Sequence, residues 1–211
     1  MKKLTLGIAI NFLLINLCFA QRFESNDFLE LGFRTGNFTE SSFLETTDFQ
    51  NQLADPNTDI EGLLASPTGR NYSAKFRYGK KLFPNFHLIS EVGLTKLNEE
   101  VVCFCVVCDK PYEPFIFATF YAVNTGLGAR YQVIKINRLS FSIDAIGSFS
   151  FLTNESDVQY YGFLVQPFVE YQLSKNLSIN LKYGYEQSFN DYRKKEKYVE
   201  FAINYQLSKK G

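Results

Sequence analysis

Proton-transfer chemistry needs a base and a partner within its reach, and this chain offers one histidine, His87, followed closely by Ser90 and Glu91. If that stretch is a strand, alternation sends His87 and Ser90 to opposite faces, so the base and the hydroxyl do not meet. Gly126-Leu-Gly128-Ala-Arg130 echoes a nucleotide-binding loop, but it has no third glycine and no helix follows. Cys103, Cys105 and Cys108 stand close together in an apolar run, with the fourth cysteine, Cys18, far away near the N-terminus. In an oxidising compartment Cys108 could pair with Cys103 or with Cys105, leaving one thiol over. A structural metal site would want four ligands, and no histidine or fourth cysteine is near. No catalytic, cofactor-binding or metal-binding residue is therefore expected, and the chain reads as a non-enzyme.

The elements around these residues repeat with period two. Leu177, Ile179, Leu181, Tyr183 and Tyr185 alternate with Ser178, Asn180, Lys182, Gly184 and Glu186, and Val199, Phe201, Ile203, Tyr205 and Leu207 alternate with Tyr198, Glu200, Ala202, Asn204 and Gln206. A helix would scatter both sets around its circumference, whereas a strand separates them cleanly. The same alternation runs through 161–171, 141–151, 115–133, 86–94, 72–78 and 29–33. That makes eight strands. Their connections differ by turn: 80–85, 134–138 and 174–176 are short, while 37–71, 98–114, 153–159 and 190–197 are longer or more polar. Short turns on one side and long loops on the other characterise barrels that cross outer membranes.

The N-terminus points to export. Lys2 and Lys3 precede an apolar run from Leu4 to Leu17, closed by Cys18-Phe19-Ala20, which reads as a signal peptide cleaved after Ala20. The mature domain is then 21–211. It is slightly acidic, since loss of Lys2 and Lys3 leaves 20 basic residues against 22 acidic ones. Nothing in that balance suggests nucleic-acid binding. Mean hydropathy is near zero (−0.14); a barrel alternating lipid-facing and lumen-facing residues has such an average. The first long connection, 37–70, carries six acidic residues and one basic one and reads as a solvated, flexible loop.

Periodicity alone does not distinguish inside from outside. A secreted lipocalin-like barrel or a β-sandwich would turn the apolar set inward and wet the charges. The leader, the alternation of turns and loops, and a recurring Tyr-Gln-Leu-Ser-Lys ending at Tyr171 and Tyr205, looser at Tyr131, favour the membrane reading. Tyr78, Tyr131, Tyr171 and Tyr205 would then form a lipid-facing belt at the headgroup boundary. The lumen would hold Glu30, Arg34, Lys75, Arg77, Glu91, Arg130, Asp144, Glu170, Lys182, Glu186 and Glu200. Eight strands leave room for side chains and little more, so these charges are expected to pair into a plug.

Eight amphipathic strands, three short turns and a terminal strand ending in Phe201-Ala-Ile-Asn-Tyr205 resemble the OmpA/OmpX/OmpW group of small outer-membrane proteins over Phe28 to Leu207. One departure is that the chain continues past the terminal strand through Ser208-Lys-Lys-Gly211. The resemblance implies an all-β, closed, up-and-down antiparallel barrel in the outer membrane. Its main partner would be lipid, with a monomer favoured. The expected role is structural or surface-interacting. An extracellular partner could meet the 98–114 hairpin, whose apolar flanks suggest either strands protruding beyond the membrane or a segment folded onto the barrel mouth. A narrow channel or small-hydrophobe transporter is the alternative, and a lipid-modifying enzyme a third reading.

Overall fold

The computed structural model describes residues 27–39, 63–105, 115–153, 159–190 and 195–207. All eight expected strands are present: β1 (Asp27–Thr39), β2 (Leu63–Phe83), β3 (Phe86–Cys105), β4 (Phe115–Ile136), β5 (Leu139–Leu152), β6 (Gln159–Gln172), β7 (Leu177–Asn190) and β8 (Lys195–Leu207). Each pairs antiparallel with its sequence neighbours, and β8 returns to pair with β1 from Asp27↔Leu207 to Thr39↔Lys195. The sheet is thus a closed barrel, with no helix among the described residues. Closure lets backbone groups pair all the way round, which an open sheet in lipid would not.

The turns are tighter than the sequence suggested. Pro84-Asn85 alone separates β2 from β3, and Asn137-Arg138 separates β4 from β5. Asn137 takes a left-handed conformation (φ 55°), which its short polar side chain tolerates and which a two-residue hairpin favours. The Tyr-Gln repeat has a structural meaning at this end. The backbone N–H groups of Gln132, Gln172 and Gln206 donate to the carbonyls of Asn85, Arg138 and Asn176, each at 2.8 Å. β4, β6 and β8 thereby each tie down the turn that leads into the neighbouring strand.

The ladder is staggered. Following Cα partners from Phe28 through Gly79, Ile89, Gly128, Ile146, Leu164, Glu186 and Glu196 returns to β1 at Phe38, ten residues further along. For eight strands this stagger implies a tilt of about 40° and an interior that side chains can fill.

At the other end, β2, β3 and β4 are 21, 20 and 22 residues long against 13 or 14 for the rest. Pairing between β2 and β3 continues to Leu63↔Cys105, and between β3 and β4 to Val101↔Phe115. Part of what read as loop at 37–71 and 98–114 is therefore strand, and β2, β3 and β4 all continue past the ends of the other strands. Cys103 and Cys105 lie in β3 opposite Ala65 and Leu63. Cys108, the leader 1–20 and most of the acidic stretch after β1 lie outside the described residues.

Candidate functional site

Strand alternation assigns the two faces, and burial shows which is which. On β8 the odd positions are exposed from Lys195 to Tyr205, while Glu196, Tyr198, Glu200, Ala202 and Asn204 are buried. On β7 Leu181 is 60% exposed and its neighbour Lys182 is wholly buried. Phe33, Leu94, Phe163 and Phe201 are likewise on the outside, and the buried charges Glu30, Arg77, Lys182 and Glu200 face the axis. This inverts a soluble protein. An apolar wall around a charged interior is stable only where the surroundings are lipid.

The lumen is filled in layers. Phe28, Ile89, Ile146 and Leu164, on one ladder line with Gly79 and Gly128 between them, form an apolar band that climbs the inner wall from the turn side. Glycine makes room for it: a Cβ on Gly79 would lie 2.0 Å from the Phe28 ring. Nearest the loops, Phe38, Leu97, Phe120, Ala122, Leu152 and Tyr160 form an apolar plug. The ionic network lies below that plug and against the rings of Phe28 and Phe168.

Glu30 sits at the hub of that network. It accepts from Arg77 at 2.8 Å, from Arg130 at 2.9 Å, from Asn180 at 2.7 Å and from Lys182. Arg77 also grips Glu91 through Nε at 2.5 Å and Glu200 through both terminal nitrogens, with Nη2 at 2.9 Å. Lys75 closes on Glu91 at 2.5 Å. Arg130 holds Asp144 through two parallel bonds of 2.7 and 2.9 Å, the bidentate geometry that suits a planar guanidinium. Gln166 donates to Asp144 at 2.9 Å and accepts from the Tyr198 hydroxyl at 2.8 Å. Higher up, Arg34 bridges Glu186 at 2.6 Å and Glu196 at 2.5 Å while stacking on Tyr198 at 3.8 Å. Arg130 and Lys182 lie over Phe168, at 4.5 and 4.9 Å, and Arg130 over Phe28 at 4.3 Å, so the aromatic rings floor the network. Beside Arg34 a neutral chain runs through Ser73, Thr95, Asn124 and Ser150, with contacts of 2.5 to 2.8 Å.

Ten of the eleven charges expected in the lumen are buried there. Glu170 is the exception: it is half-buried at the turn-side mouth, accepting from Ser178 and, at 3.5 Å, from Ser140. Sequence reasoning missed Glu196, fully buried and bonded to Arg34. It shares the parity of Tyr198 and Glu200, so carrying the terminal alternation one step upward would have found it. With Glu196 included, five cations face six carboxylates across the buried lumen.

The tyrosine belt needs a correction. Tyr131, Tyr171 and Tyr205 are exposed, but Tyr78 is only 2% exposed and donates its hydroxyl to Asp27 at 2.8 Å. Its parity is that of exposed Phe76, yet the nearby carboxylate captures the phenol, and Asp27 also accepts the Lys81 N–H at 3.0 Å. His87 faces the lumen just above the β2–β3 turn, edge-on to Phe28 with ring centroids 5.4 Å apart. Ser90 has the opposite parity, paired with Tyr78, and Glu91 is committed to Lys75 and Arg77. The structure therefore does not assemble these three into a proton-transfer group.

A closed antiparallel barrel with an apolar wall, tight turns at one end and an ion-paired interior is a transmembrane β-barrel of the outer-membrane type, and the outer membrane is its place. By sequence, no protein-family model and no characterised protein matches the chain. By structure it is similar to Neisserial surface protein A, with 12% identity over 85% of this chain and 97% of that one and a TM-score of 0.51. It is also similar to the outer membrane protein OprG from Pseudomonas aeruginosa, with 10% identity over 88% and 98% of the two chains and a TM-score of 0.53. At such identities the likeness is one of fold, and the resemblance to small outer-membrane barrels drawn from the sequence holds at that level.

Proposed function

We propose that the protein is a non-conducting, non-enzymatic outer-membrane barrel that anchors a surface-exposed extension. It is exported with a leader removed after Ala20. The observation that carries this reading is the filled lumen, a continuous ion-pair network capped on the loop side by an apolar plug and backed by the rings of Phe28 and Phe168. A conducting pore would need hydrated space where Arg77, Lys182 and Glu200 have essentially no exposure. The alternative of a small-hydrophobe channel would need an apolar gap at the same level.

The extension supplies the surface. Residues 63–67 of β2 and 115–120 of β4 are paired with β3 alone among the described strands. Pro67 deprives the β2 edge of a donor, so the β4 edge, free of proline, is the better template for an added strand from an extracellular partner. Planar-bilayer recording of the refolded protein tests the plug: the expected result is no steady single-channel conductance, and a stable open level would overturn the reading.

A further inference from the structure

On the outer wall, across β1 to β4, lies a concavity of about 750 Å³ lined by Phe33, Tyr72, Ala74, Leu94, Lys96 and Tyr121 among others. We propose that it is a binding site for a lipid whose phosphate headgroup is net anionic, the acyl portion lying in the groove and the phosphate meeting Lys96. The register builds the groove in two rows. Phe33, Ala74 and Leu94 are successive ladder partners, so a methyl group forms the floor between two large side chains. One step towards the loops, Tyr72, Lys96 and Tyr121 are partners in turn, which places the lysine between two aromatic rings.

Lys96 is the first charge met on the outward face of β3 above the turn, after Phe86, Leu88, Ser90, Val92 and Leu94. Ten residues of tilted strand put it about 25 Å above that turn, the height of the apolar band of such barrels. An exposed ammonium there lies at the boundary between acyl chains and headgroups, with its stem along apolar surface. Among the described residues no carboxylate pairs with it. A cavity of this size accommodates a lipid-sized ligand, and Lys96, its one exposed cation, selects an anionic one, since Arg34 is buried and paired in the lumen.

The test is native mass spectrometry of the intact barrel released from detergent, with dimyristoyl phosphatidate and dimyristoyl phosphatidylcholine as probes. Phosphatidate should be retained about tenfold better, the scale of one charge-assisted contact. Lys96→Gln should cut that preference severalfold, and Ala74→Phe, which fills the floor, should weaken retention of both lipids. If Ala74→Phe fails to fold, Lys96→Glu carries the test and should reject phosphatidate. Equal retention of the two lipids by the parent protein, a preference unchanged in the Lys96 variants, or displacement of phosphatidate by millimolar inorganic phosphate would overturn the proposal; the last would reduce the site to a bare anion contact.

Discussion

Arg77→Met removes the cation that ties three carboxylates together. Arg77 contacts Glu30, Glu91 and Glu200, and all four side chains are almost wholly buried. Glu30 retains Arg130 and Lys182, and Glu91 retains Lys75, but Glu200 keeps only Lys182 at 3.5 Å. The cost therefore falls mainly on an uncompensated Glu200, and breaking one side of a buried pair typically costs about 3–5 kcal/mol. An exposed pair is worth only about 0–1 kcal/mol, so the size of the loss reports whether the lumen is dry. Neutralising the orphan in Arg77→Met/Glu200→Gln should restore about 2 kcal/mol, because the two changes share a partner and are not additive. The assay is reversible urea unfolding in phosphatidylcholine vesicles. It would be followed by tyrosine fluorescence, since the chain has no tryptophan, with electrophoresis of unheated against boiled samples as the check on barrel closure. A loss below about 1 kcal/mol in the single variant would refute the sealed network and favour a hydrated lumen.

Two further outcomes follow from the same architecture. Leu181→Arg, on the lipid face near the middle of the apolar band, should destabilise the folded barrel by about 2–4 kcal/mol in vesicle unfolding, whereas an exposed position on a soluble protein would tolerate it. Asn71 is fully buried in the upper lumen and neither side-chain amide atom has a hydrogen-bond partner, so Asn71→Leu should raise stability by about 1–2 kcal/mol in the same assay.

The separation of His87 from Ser90 was legible early, because parity in a strand is a local property. The opposite faces of His87 and Ser90 follow from their spacing alone and survive in the folded barrel. The ion partners were not legible. Glu30 meets Lys182 across a separation of 152 residues and Arg130 across 100, and nothing within one strand says which cation will reach which acid. Tyr78 shows the limit of parity even locally. Its side of the sheet was foreseeable, but its capture by Asp27, 51 residues away, was not.

The sequence by itself determined eight strands, the side on which the turns lie, and the division of side chains into two sets, since period two and turn chemistry are written in neighbouring residues. Which set faces the axis, the ten-residue stagger of the ladder, and the joining of five cations and six carboxylates beneath the apolar plug at the loop end were decided only by closure. Closure is a condition on all eight strands at once. A tilt and a register must bring β8 back to β1, and that same register sets the heights at which charges on distant strands can meet.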